Sequence, residues 1–156
     1  MNDSPKLNIR RANQSDIAEI AHLFRRVRQA CLPYLPDLHT PDEDLWFFRE
    51  KMFRECDVWL AERDGLVGFC GYRTGWVDHL YLQPNVHRRG IGTQLLAHAK
   101  AGQSELRLWV FQRNRPAIHF YLANGFRLVE ETDGIGNEER EPDALYLWSA
   151  QQPVSG

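Results

Sequence analysis

Apolar residues fall at helical spacing in four stretches of this chain and at strand-like spacing in seven. Leu7–Arg10 is the first short strand candidate. Ile17, Ile20, Ala21, Phe24 and Val27 then recur at the spacing of one helix face. Ser15 or Asp16 is the expected cap, with Glu19 three residues beyond Asp16. Pro33 and Pro36 predict an irregular connection after this helix. A second helix carries fuller start signals: Thr40 as cap, Pro41 at the first helical position and Glu43 completing a capping box. Leu45, Phe48 and Met52 share one face, but Trp46, Phe47 and Phe53 make the helix apolar elsewhere too. That excess predicts that part of it lines a pocket.

Strand patterns take over from Asp57. Val58–Glu62 and Leu66–Tyr72 flank Arg63-Asp64-Gly65, a strong hairpin turn signal. Trp76–Leu82 continues the meander up to Pro84. Gly92–Lys100 reads as a helix that stops near Gly102, Leu106–Phe111 as a strand, and Pro116–Asn124 as a short helix closed by Gly125. Phe126–Glu130 and Leu145–Trp148 are the last strands. The order β-α-α-β-β-β-α-β-α-β-β joins antiparallel runs to one β-α-β unit. It predicts an α+β fold with a mixed sheet rather than a doubly wound one.

Length and composition narrow the classes. The 156 residues suit a single domain over 1–150 followed by a small polar tail, 151–156, and the 43% hydrophobic content is enough for one core. A formal net charge of −2 argues against a broad grip on nucleic acid. No apolar run nears the roughly 20 residues of a membrane span, and Met1–Arg11 has no signal-like apolar segment. A soluble cytoplasmic protein is expected. Cys31, Cys56 and Cys70 are widely spaced and form no CxxC pair, so neither a disulfide framework nor a zinc site is expected.

The most informative segment is Leu80-Tyr81-Leu82-Gln83-Pro84-Asn85-Val86-His87-Arg88-Arg89-Gly90-Ile91-Gly92-Thr93. A strand end, a basic turn and two glycines stand directly before a helix. Backbone N–H groups at a helix start lack intrahelical partners and attract anions. Glycines at alternate positions let a diphosphate approach the backbone, and Arg88 and Arg89 can add charge. The spacing is neither GxGxxG nor a P-loop. A plain turn before a helix is the alternative.

The surrounding sequence favours the anion site. His87-Arg88-Arg89-Gly90-Ile91-Gly92 resembles the Q/R-x-x-G-x-G/A hallmark of the GCN5-related N-acetyltransferases, with His87 in place of the usual Gln or Arg. Downstream, Asn114-Arg115-Pro116-Ala117-Ile118-His119-Phe120-Tyr121-Leu122-Ala123-Asn124-Gly125-Phe126 resembles that family's N-x-x-A-x-x-F-Y-x-x-x-G-F pattern. The resemblance spans roughly Leu7 to Trp148 and is sharpest from Leu66 to Phe126.

The resemblance implies a mostly antiparallel mixed sheet flanked by helices, with a splayed central strand pair. It implies acetyl-CoA as cosubstrate and direct attack by an amine on the thioester, without an acyl-enzyme. The cofactor contacts it implies run along Leu80, Tyr81 and Leu82, through His87, Arg88, Arg89, Gly90, Ile91, Gly92 and Thr93, to Asn114 and Tyr121. Tyr121 takes the place of the acid that protonates the departing thiolate. Asn114 serves the pantetheine or the helix start. A backbone N–H around Leu80 meets the developing oxyanion.

For the base, Asp78 and His79 lie on the right strand, on opposite faces unless a bulge intervenes. His79 has the more suitable intrinsic pKa, and His39 is a third candidate. Each also has a plainer structural reading.

By the same resemblance, the acceptor sits between the first two helices and the last hairpin. Tyr34, Trp46, Phe47 and Trp76 fall there, with the acidic run Asp133–Asp143, in which Glu138 and Glu139 stand out. A small amine, an amino acid or a peptide remains open as acceptor, and a homodimer is expected by analogy. A non-catalytic acyl-CoA sensor or a structural domain of the same fold is the competing reading.

Overall fold

Short-range signals build most of the elements in the computed structural model, which describes residues 6–86 and 90–150. His87, Arg88 and Arg89, and the tail 151–156, lie outside the described residues. Strand β1 is Asn8–Arg11. Asp16 stands at the cap position of the first helix, as expected, but makes no side-chain cap bond there. Instead Asn13 and Asp16 form a reciprocal capping box around a preceding 3₁₀ turn, Gln14–Asp16. The Asp16 carboxylate is held by Arg10 at 2.9 Å and accepts from Asn13 N–H. Helix α1, Ile17–Cys31, follows and buries Ile17, Ile20, Ala21, Leu23 and Val27.

Helix α2, Pro41–Phe47, has the anticipated cap: Thr40 and Glu43 bond each other's backbone, with Pro41 in the first turn. It does not run on as a regular helix. A π-helical turn, Phe48–Met52, leads into the short α3, Phe53–Glu55. Widened turns of this kind often mark functional sites. Phe48 and Met52 are fully buried, whereas Trp46 and Phe47 are 51% and 40% exposed. Trp46 and Phe47 therefore stay outside the core, whereas Phe53 packs against it.

The remaining elements are β2 (Asp57–Glu62), β3 (Leu66–Arg73), β4 (Trp76–Leu82), α4 (Ile91–Lys100), β5 (Glu105–Phe111), α5 (Arg115–Ala123), β6 (Arg127–Glu131) and β7 (Asp143–Ser149). They form one mixed seven-stranded sheet in the order β1-β2-β3-β4-β5-β7-β6. Every pairing is antiparallel except β4 with β5. That parallel pair meets in register only at Trp76↔Arg107, so the two central strands diverge beyond it.

The sheet separates two cores. Helix α1 and the π turn cover Val58, Leu60 and Phe69 on one face. Helix α4 packs Leu95, Leu96 and Ala99 with Leu106, Leu108 and Val110 on the other, and Tyr121 and Phe126 join that cluster. Full burial of each such side chain contributes about 1.5–3 kcal/mol of hydrophobic stabilisation before entropy is set against it.

Candidate active site

The site begins where β4 and β5 part. Gln83 N–H donates to Val67 O at 2.9 Å, toward β3. Strand alternation then turns the backbone of His79 and Tyr81 toward β3, and that of Leu80 and Leu82 toward the opening beside β5. Backbone donors and acceptors of β4 thus line a cleft in the sheet.

A β-bulge shapes the same strand. Tyr72 pairs with Val77 and Gly71 with His79, which leaves Asp78 as the extra residue. The bulge places Asp78 and His79 on the wall of one cavity, which a regular strand does not do. Gly71 makes room for this arrangement, since a Cβ there would lie 3.2 Å from Met52 Sδ and 3.3 Å from the His79 ring.

Helix α4 begins at the mouth of the cleft. Gly90 caps it in the left-handed region at φ +75° with no side-chain cap bond, and among the described residues a Cβ there would meet nothing within 4 Å. Within the helix, Gln94 N–H bonds Gly90 O at 3.0 Å. Ile91, Gly92 and Thr93 come before the first acceptor in the helix's own ladder, so their N–H groups point outward. An open, positively polarised helix start beside strand backbone fits a diphosphate and an extended pantetheine arm.

Gly92 has a different role from that of its neighbour. A Cβ there would lie 2.9–3.0 Å from the Phe120 ring and from Leu82. Gly92 clears space for α5 and β4.

Asn114 is the cap of α5, its side chain accepting from Ala117 N–H at 3.4 Å. Two turns on, Tyr121 is 8% exposed and packs edge-on against Phe120 and Phe126, at 5.3 and 5.5 Å. Burial first, then the neighbouring Cys70 and Tyr81, push its phenol well above the ordinary range and keep it protonated. Cys56 and Cys70 are also raised by burial, each to about 12, so neither is a thiolate at neutral pH.

A cavity of about 840 Å³ opens on the α1 side of β4. Phe24, Trp46, Phe47, His79 and Tyr81 form its apolar wall, and Asp44, Asp78, Glu138 and Glu139 are among the acids around it. Most of these charges are matched. Arg25 holds Asp44 at 2.9 Å and Asp37 at 3.2 Å, Arg73 holds Asp78 at 2.6 Å, and Arg28 stands 3.6 Å from Glu139. His39 sits on the rim between Glu138 at 2.6 Å and Glu43 at 3.4 Å. Glu43 first, with Glu138, raises the His39 pKa. The acidic run contributes Glu138 and Glu139 to the cavity.

His79 is enclosed by the rings of Phe47 and Phe48, at 5.6 and 5.8 Å. Burial lowers its pKa to about 4, with Asp78 acting weakly the other way. A histidine held neutral in the fold stabilises it least in acid. Its contribution is complete above the ordinary value of 6.5 and is lost as pH falls from there toward 4. We expect about 2 kcal/mol of stability to disappear between pH 7 and 5, or roughly 4–8 °C in Tm. His39 opposes the trend only weakly, being exposed. Melting curves for His79→Gln should be flatter across the same range, and a slope equal to that of the parent rejects the burial argument.

Comparison with known proteins agrees with this geometry. An acetyltransferase (GNAT) domain matches residues 54–128, which hold the splayed strand, the glycine turn and α5. The peptidyl-lysine N-acetyltransferase YiaC of Escherichia coli is 31% identical over 148 residues, covering 94% of this chain and 99% of its own. The chain belongs to the GCN5-related N-acetyltransferase family. Its fold matches apo YjaB from Escherichia coli at TM-score 0.74 and 23% identity, covering 92% of this chain and 97% of that one. It matches the PaiA N-acetyltransferase of Thermoplasma acidophilum, solved with coenzyme A, at TM-score 0.74 and 20% identity, over 92% and 99% of the two chains. This GNAT protein is an acetyl-CoA-dependent enzyme that transfers an acetyl group to an amine.

The sequence places Tyr34 and the acidic run that contains Glu141 in the acceptor region, but marks neither Arg113 nor the contacts that join it to them. No local pattern marks a contact between residues 28 positions apart. Among the described residues, no helix is long and apolar enough to cross a membrane.

Proposed function

We propose that this enzyme acetylates the side-chain amine of lysine in peptides or proteins. The observation that carries this reading is the cavity beside β4, with its aromatic wall and its rim of carboxylates. A lysine side chain is an apolar stem with a cationic tip, and such walls suit both parts. The peptidyl-lysine N-acetyltransferases among the relatives support the same class.

Acetyl-CoA supplies the acetyl thioester. In this reading Gly90, Ile91, Gly92 and Thr93 offer backbone N–H groups to its diphosphate, with Arg88 and Arg89 adding charge and His87 at the head of the turn. Leu80, Tyr81 and Leu82 align the pantetheine arm along β4, and the Leu80 N–H faces the position of the thioester oxygen. Asn114 orients the start of α5, and Tyr121 donates a proton to the departing sulfur.

His79 is the group that accepts the proton from the amine. It is neutral at physiological pH and lies on the cavity wall, whereas Asp78 is committed to Arg73 and His39 to the rim. The raised thiols of Cys56 and Cys70 support direct attack by the amine. Residence in the cytoplasm belongs to the same reading. So does pairing of two copies through a sheet edge, for which β6 offers five exposed residues.

The test is calorimetric titration with acetyl-CoA, followed by thiol release with a lysine peptide, the same peptide with arginine in place of lysine, and spermidine. One-to-one binding and turnover of the lysine peptide alone are expected. Turnover of spermidine alone would replace the acceptor class, and binding without turnover of any amine would sink the catalytic reading.

A further inference from the structure

Glu141 is 8% exposed, an unusual burial for a carboxylate in a connection between strands. The fork of Arg113 holds it with two bonds, Nε to Oε2 at 2.8 Å and Nη2 to Oε1 at 2.6 Å. The guanidinium also lies 4.0 Å from the ring centroid of Tyr34. Among the described residues the buried Tyr34 hydroxyl has no hydrogen-bond partner, so the ring packs on Arg113 without help from its own polar tip. One side chain at the β5–α5 corner thus grips both rims of the acceptor cavity.

Both rims are placed by this grip. Leu32, Pro33, Leu35 and Pro36, on either side of Tyr34, line the cavity. Glu138 and Glu139 line it from the segment that carries Glu141. That segment is internally stiff. Asn137 Nδ2 donates to Glu141 O at 2.7 Å, and Glu141 N–H donates back to Asn137 Oδ1 at 3.2 Å. Gly134 lies so close to Glu141 that a Cβ would stand 2.4 Å from its carbonyl carbon. A stiff segment held at Glu141 carries Glu138 and Glu139 with it.

We propose that Arg113 is a positioning residue for the amine acceptor, fixing the spacing of the two rims through Tyr34 and Glu141 without touching the acceptor. This rests on the reading of the cavity as the acceptor site. It adds a role for a residue that precedes Asn114 and lies outside both rims.

Steady-state kinetics with saturating acetyl-CoA and a lysine peptide test it. For Arg113→Gln we expect acceptor KM to rise about tenfold or more, since an ångström of misplacement is enough for such a loss. Turnover and acetyl-CoA affinity should stay within about threefold of the parent. Arg113→Lys, which keeps the charge but not the planar fork, should recover part of the loss. Glu141→Gln should reproduce the KM effect, and the double variant Arg113→Gln/Glu141→Gln should be no worse than either single one, as expected of two groups acting as a unit. Glu141→Gln also carries the test if Arg113→Gln fails to fold.

Unchanged KM in both single variants overturns the proposal. So does a fall in turnover, acetyl-CoA affinity and Tm together, which would mark a general structural role. A parent enzyme inactive on every amine would instead sink the acceptor reading itself, and that outcome is visible before any variant is made.

Discussion

Gly90→Asp is expected to weaken acetyl-CoA binding about 100-fold, at a modest cost in stability that Gly90→Asn shares because φ +75° strains any side chain. Gly90 has φ +75°, a conformation that aspartate and asparagine tolerate better than other side chains, and among the described residues the space beside it is open. At a helix cap, a carboxylate is normally favourable to the helix itself. At this cap it would also face the diphosphate. Two like charges on the order of 6 Å apart, at an effective dielectric of about 20, repel by about 3 kcal/mol, or roughly two decades in Kd. Gly90→Asn has nearly the same shape without the charge and should bind within about fivefold of the parent. Calorimetry with acetyl-CoA and a melting curve for each variant decide the matter. Equal affinities for the two variants would mean that the diphosphate lies elsewhere. Gly92 is a poorer position for this test, because any side chain there collides with Phe120 and Leu82.

Tyr121→Phe should lower kcat about 100-fold, near the small end of general acid catalysis, because a thiolate is already a good leaving group. Acetyl-CoA affinity should change by less than about threefold, since the ring and its contacts with Phe120 and Phe126 are retained. The separation follows from position. The ring belongs to the core cluster under α4, whereas the hydroxyl is the only chemical difference between the two side chains. Burial keeps the phenol protonated through the neutral range, so the acid form is not lost at ordinary working pH. Thiol release measured at saturating peptide and acetyl-CoA gives kcat directly. A value within twofold of the parent would reduce Tyr121 to a packing residue.

Legibility differed from element to element. The box of Thr40, Pro41 and Glu43 formed as read, because all its bonds close within four residues. At α1 the cap position is legible but not its bonding, because the Asp16 carboxylate, held by Arg10, closes a box with Asn13 around the preceding turn. The strand at 76–82 is bounded by its own sequence signals, but its bulge is not marked by them. Whether Asp78 is looped out depends on how β3 pairs with it, and on Gly71 leaving space for the His79 ring. The two glycines of the turn look alike in sequence and do unlike things, since only tertiary packing places Phe120 over one of them.

The sequence by itself determined the order of elements, the turn before α4 and the start of α5. Each rests on hydrogen bonds, dihedral preferences and apolar spacing within a few residues, and through these the family was legible. Tertiary structure alone decided the divergence of β4 from β5, the shared wall of Asp78 and His79, and the clasp of Arg113 on Tyr34 and Glu141. Those features join segments far apart in the chain. Their energies come from packing and burial that no short window of residues contains.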